Sequence, residues 1–215
     1  MTLETPEDLL AAWADLAGPG PEAERFGREL IANYQLPYRR YHTDQHLRHV
    51  LQVVDLLADQ AANVEAVRYA AWFHDAVNEI NGDSRLSNEE RSARLAEAVL
   101  TALGKAPELV AEVGRLVRAT ADHQLEPGDT NGAVLCDADL AILGSDPGHY
   151  ARYRMRIRDE YREIPAETFR PGRAEILRSL LDRATIYRTE RGRGLFEAEA
   201  RRNIAAELES LAAPN

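Results

Sequence analysis

The sequence predicts an all-α fold, a compact bundle of about seven to nine helices forming one domain over residues 1–215. Three observations predict it. Apolar residues recur at spacings of three and four along most of the chain, the period of a helix with one buried face. No stretch sustains the alternation of a half-buried strand, and β-branched residues are sparse. Pro and Gly cluster at Gly18-Pro19-Gly20-Pro21, Glu126-Pro127-Gly128-Asp129 and Arg170-Pro171-Gly172, which punctuate the periodic stretches.

Leu47, Val50, Leu51, Val54 and Leu57 form one helical face, with Thr43 or Asp44 placed to cap its start. The stretch from about Val64 to Val77 puts Val67, Ala70, Ala71, His74 and Val77 on another. Ser87-Asn88-Glu89-Glu90 fits a capping box, and Gly104 suits the end of the helix that follows. Pro107 opens the next, whose stripe of Val113, Leu116, Val117 and Thr120 runs on to His123. Asp146-Pro147 starts a helix carrying Tyr150, Tyr153, Ile157 and Tyr161. Two more carry Ile176, Leu177, Leu180 and Leu181, then Phe196, Ala200, Ile204, Leu208 and Leu211.

Composition excludes several functions. With 26 Lys+Arg against 36 Asp+Glu, the net charge of −10 lacks the basic footprint of a nucleic-acid or anionic-membrane binder. The single Cys136 removes disulfide frameworks and CxxC zinc motifs. No run of 18 apolar residues occurs, and Met1-Thr2-Leu3-Glu4-Thr5 has no signal-peptide character, so the expected setting is cytoplasmic. A homo-oligomer stays open.

Three segments concentrate the chemistry: Tyr41-His42-Thr43-Asp44-Gln45-His46, with His49 one turn on; His74-Asp75; and Asp137-Ala138-Asp139. His74 follows Ala71, Ala70 and Val67 at i+3, i+4 and i+7, so it leans inward. His46 shares a face with Val50, Val53 and Leu57, and Asp139 lies beside Leu135 and Ile142. Singly, each has an ordinary explanation, as a core histidine or a helix-capping aspartate. Together they bring two imidazoles and two carboxylates inward from separate helices, a costly burial that one divalent ion would relieve. The donor set suits Mn, Fe, Co or Zn, with Mg a further candidate, better than Ca. Four protein ligands on an octahedral ion leave positions for water or substrate, the condition for catalysis.

A His about 28 residues before an adjacent His-Asp pair, then a distant Asp, resembles the HD superfamily of metal-dependent phosphohydrolases. Arg39-Arg40-Tyr41-His42, Ala71-Trp72-Phe73-His74-Asp75, Asn88-Glu89-Glu90-Arg91-Ser92-Ala93, Thr120-Ala121-Asp122-His123, Asp137-Ala138-Asp139-Leu140-Ala141-Ile142-Leu143-Gly144, Ile157-Arg158-Asp159-Glu160-Tyr161 and Gly172-Arg173 extend the likeness, clearest over residues 34–211. The resemblance implies an all-α fold and a small phosphorylated substrate, a nucleotide foremost. It implies His46, His74, Asp75 and Asp139 as metal ligands, with Asp137 the alternative for the last place. The Tyr-His-x-x-x-His run is similar to cyclic-nucleotide phosphodiesterases, which implies His42 as general acid; Thr43 stands where those enzymes carry Asn. Asp75 is a further proton acceptor. Arg39, Arg173 and His123 are the expected substrate-phosphate contacts, with Arg40 alongside. His123, Glu79 and Glu89 are candidates for a second ion.

Other readings compete. Some HD relatives hold two irons and activate dioxygen, and a regulatory domain could keep its metal as structure. The bland alternatives are a surface histidine for His42, a core histidine for His123, a first-turn acid for Glu89 and packing for His49. The run of Arg152, Arg154, Arg156, Arg158 and Arg162 reads as solvated, paired with Asp159, Glu160 and Glu163, and His149 as a turn residue without a role.

Overall fold

The computed structural model describes Leu3, residues 5–80 and residues 85–213. Among the described residues there are ten helices of at least 10 residues and no strand, just above the expected count. In order they are α1 Pro6–Ala17, α2 Pro21–Tyr34, α3 Asp44–Leu56, α4 Val64–Phe73, α5 Asn88–Ala102, α6 Pro107–Ala119, α7 Thr130–Leu140, α8 Pro147–Glu160, α9 Ala166–Leu181 and α10 Ala198–Ala212. A helical turn at Glu190–Gly192 and a π-helical turn at Arg193–Glu197 lead into α10. No described helix is long and apolar enough to cross a membrane.

Several punctuating residues act as their chemistry requires. Pro107 and Pro147 begin α6 and α8, and the Asp146 carboxylate accepts from the amides of Gly148 and His149. Gly104, at φ 68°, closes α5 in a Schellman arrangement, Lys105 N–H donating to Leu100 O at 3.0 Å. Others depart from expectation. Ser87 caps α5 through Glu90 N–H, but the Glu90 side chain turns to Arg94 and Arg118, so only half the capping box forms. Thr43 holds the cap position of α3 with no side-chain bond to the helix, and Asp44 pairs with Arg48.

Two helices stop earlier than their apolar stripes suggest. α4 ends at Phe73, leaving Val77 beyond it and anchored by Ser92 Oγ; α6 ends at Ala119, leaving His123 outside any helix. Conversely, α9 runs through Pro171. Pro171 and Gly172 lie on its exposed face, where water can serve the carbonyl left without a donor. The same face carries Ile176, 57% exposed and not part of the core expected for it.

Two apolar clusters organise the packing. The larger draws on α1–α7 around Trp13, Leu47, Trp72, Phe73, Leu116 and Leu135. The smaller joins Tyr41 and Leu143 to residues of α8–α10 and to Ile186 and Tyr187. His46 and His74 border the first cluster and Tyr41 belongs to the second, so the polar groups collect at the seam.

Trp13 anchors α1 on the rest, its indole N–H donating to Ala23 O at 2.7 Å with Tyr69, Trp72 and Phe73 edge-on around it. A Cβ on Gly27 would fall 2.4 Å from Trp13 Cδ1. The better helix propensity of alanine, about 1 kcal/mol, is outweighed because the indole is pinned on every side. Gly27→Ala is expected to destabilise the fold by about 1–2 kcal/mol net, read as a lower urea midpoint with unchanged slope.

Candidate metal centre

The start of α3 and the ends of α4, α6 and α7 converge on one point. His46 sits in the first turn of α3, His74 and Asp75 just after α4, His123 beyond α6, and Asp139 in the last turn of α7. The Nε2 atoms of His46 and His74 face each other at 3.1 Å. Asp75 Oδ2 lies 3.4 Å from the first and 3.2 Å from the second; Asp139 Oδ1 lies 3.3 and 3.7 Å from them. An ion about 2.1 Å from each ligand sets neighbouring ligand atoms about 3.0 Å apart in an octahedron and about 3.4 Å apart in a tetrahedron. The spacings fit. The ligand atoms of His46, His74 and Asp75 all lie within 4.8 Å of one another, and this group could hold a metal ion.

Local structure aims each ligand. His74 keeps helical dihedrals at the C-cap of α4, its N–H donating to Ala70 O at 2.8 Å, and Asp75 follows in the turn that Ala76 N–H closes on Phe73 O. His74 Nδ1–H donates to Ala71 O at 2.8 Å, which leaves Nε2 as the lone-pair nitrogen. Arg39 secures the turn: its guanidinium donates to the carbonyls of His42, Asp75 and Ala76 at 2.7–3.1 Å. His46 Nδ1 is buried with no partner among the described residues, so the ring is placed by packing and by the contacts of its Nε2.

The electrostatics follow from crowding. Burial would push His74 down, but the Asp75 carboxylate, helped by Asp139, carries it up to about 9. Burial would raise Asp75 and Asp139. Instead His74 and His42 hold Asp75 well below the usual carboxylate range, and hydrogen bonds from His123 and His46 do the same for Asp139. Without an ion, a proton on His74 balances the carboxylates.

His42 stands at the edge of the group. Its Nδ1–H donates to Glu160, a carboxylate 1% exposed that also accepts the backbone N–H groups of Arg40, Tyr41 and His42. Nε2 then faces Asp75 Oδ2 at 4.0 Å. Burial opposes charge on His42, but Asp75 and Glu160 raise its pKa above the ordinary histidine value; His42 in turn draws Glu160 down to about 2 against the effect of burial.

Other expected site residues fall elsewhere. Asp137 turns away from Asp139 and accepts from Arg188 N, Thr189 N and Thr189 Oγ1, tying α7 to the segment before α10. Arg39, expected at a substrate phosphate, is 3% exposed and spends itself on carbonyls. Arg173 is likewise committed, donating to Glu207 and to the Tyr153 hydroxyl. His123 is off the helix that was to carry it, at φ 55°, with Nε2 3.0 Å from Asp139 Oδ2. It is the one described non-glycine residue at positive φ, a costly backbone state that recurs at functional sites. Glu79 gives both oxygens to Arg91, Glu89 lies in the first turn of α5, and Arg40 pairs with Asp159. His49 packs beside the site with Nε2 unpartnered, and His149 binds the Asp146 carboxylate.

Sequence reasoning missed Glu160, grouping it with the solvated charges around the arginine run. The signal was present: Glu160 follows Ile157 at i+3 and Tyr153 at i+7, on the buried face of α8. Comparison of the chain with family models, curated proteins and solved structures finds no match.

Two measurements follow. With His74 near 9 when no ion is present, metal must displace a proton at neutral pH. Affinity is therefore expected to rise with pH by up to about tenfold per unit and to level off above about 9. Titration calorimetry in buffers of different ionisation enthalpy should detect close to one proton released. In elemental analysis, Asp139→Asn is expected to lower metal content while Asp137→Asn keeps it; Asp137→Asn should instead destabilise the fold by about 1–3 kcal/mol, through the donors it strands.

Proposed function

We propose that the chain is an HD-type, metal-dependent phosphohydrolase acting on a small phosphate ester, with nucleotides the first substrates to test. The observation that carries this reading is the convergence of His46, His74, Asp75 and Asp139 beside a histidine backed by a buried carboxylate. Asp139 is assigned as the fourth ligand because it reaches both imidazoles. A divalent transition ion held there would polarise a phosphoryl oxygen and acidify a water. The acidic chain favours small substrates over nucleic acid, in a cytoplasmic setting.

The protein's own groups supply the rest. Glu160 fixes the His42 ring by its Nδ1–H and leaves Nε2 turned toward the cluster. Burial opposes the charged ring, but Asp75 and Glu160 shift His42 toward it, and its Nε2–H is the proton that would pass to the departing oxygen. Glu160 thus orients the ring in a chain that carries Thr43 where the phosphodiesterases it resembles carry Asn. Asp75 turns Oδ2 to the two imidazoles, and its other oxygen would accept a proton from an attacking water.

One observation favours a second reading, a di-iron oxygenase. His123 beside Asp139 is a donor pair that a second ion could share. Two irons per chain in protein purified without chelator would select that reading; about one divalent ion selects the hydrolase.

Purified protein incubated with Mn²⁺, Co²⁺ or Fe²⁺ and a nucleotide panel is expected to release phosphate or a nucleoside monophosphate, and His74→Ala or Asp75→Ala to lose both metal and activity. His42→Ala should retain the metal and lose about 10²–10⁴-fold in turnover. That loss should shrink for nitrophenyl esters, whose leaving oxygen needs no proton. Equal losses on both ester types would remove His42 from the acid role.

A further inference from the structure

The Arg173–Glu207 pair is buried yet lies outside the metal-binding group. Glu207 is 4% exposed and accepts from Arg173 Nε at 3.0 Å, from Arg173 Nη2 at 3.3 Å and from the Tyr150 hydroxyl. Burying such a pair gives little net stability over apolar packing of the same volume, so its role is sought in what it orients. Arg173 Nη2 donates to the Tyr153 hydroxyl at 2.9 Å, and its guanidinium lies 5.2 Å from the Tyr153 ring centroid.

Arginine has no acceptor, so this bond occupies a lone pair of the tyrosine oxygen and sends the hydroxyl proton elsewhere. Tyr41 occupies the adjoining space. Its ring is 4.7 Å from that of Tyr153 and 4.9 Å from those of both His42 and His46, and its hydroxyl bonds to no described residue. The Tyr41 ring thus packs on those of His42 and His46, Tyr153 packs on Tyr41, and neither hydroxyl proton has an acceptor among the described residues.

We propose that Tyr153, with Tyr41 beside it, donates a hydrogen bond to a tetrahedral oxyanion bound at the metal centre, and that Arg173 and Glu207 are positioning residues for that donor. The assignment rests on the metal-centre reading. It places the arginine expected at the phosphate one step behind it, acting through a phenol. A neutral donor there adds direction without a further buried charge.

Titration calorimetry of inorganic phosphate into the metal-loaded protein tests the assignment. Tyr153→Phe is expected to keep the wild-type metal content and to bind phosphate at least about tenfold more weakly, the effect of losing a hydrogen bond to a charged group. Arg173→Lys retains a cation but cannot fork between Glu207 and Tyr153; it should weaken phosphate several-fold and add little to Tyr153→Phe. Loaded Tyr153→Phe that binds phosphate within twofold of wild type overturns the role, as do fully additive losses in the double variant or loss of metal in Tyr153→Phe. Wild-type protein that takes up no metal overturns the centre itself. Phosphate binding that depends on Tyr153 in a protein inactive on every ester supports this subsite while removing the hydrolase reading.

Discussion

The structure turns on the confinement of two buried imidazole nitrogens, 3.1 Å apart, with two partly buried carboxylates. In such a setting each charge is costly alone and the set is stable only if something positive sits among them. Local architecture serves that confinement. α4 and α6 stop short of their apolar patterns, and α3 begins without a side-chain cap. Helix ends, where the chain can change direction, bring His46, His74, Asp75, His123 and Asp139 together from distant positions.

The buried charges away from the centre divide the work. Arg39 is a structural clasp: with its guanidinium on three carbonyls, it joins the turn before α3 to the turn after α4, about 36 residues further along the chain. Glu160 performs the complementary task with an anion, gathering three backbone N–H groups and the His42 ring. A cation that collects carbonyls and a carboxylate that collects amides brace the same loop from opposite sides. Each satisfies groups that no helix could satisfy there.

Much of this was legible in the residues. The helical period identified the buried faces of α3 and α8, and the inward lean of His46, His74 and Asp139 followed from their apolar neighbours. Asp137 and Asp139 diverge as helix geometry requires of residues two apart. Less legible was the use of each charge. Arg39 and Arg173 look like phosphate ligands because a guanidinium suits phosphate, yet the same fork suits carbonyls and a buried glutamate. Only the fold decides which partner is near. His123 was misplaced for a related reason: the stripe of α6 continues in the sequence after the backbone has left the helix, and a left-handed residue carries no mark when it is not glycine.

The last turn of α7 holds two aspartates with opposite errands. Asp139 faces the histidines, while Asp137, on the other side of the helix, receives the amides of Arg188 and Thr189 and the Thr189 hydroxyl. One rigid turn therefore joins the centre to the strap that leads into α10. Whatever steadies Asp139 also steadies the far face. Amide exchange at Arg188 and Thr189 becomes a gauge of the centre's occupancy, read from the opposite side of the helix.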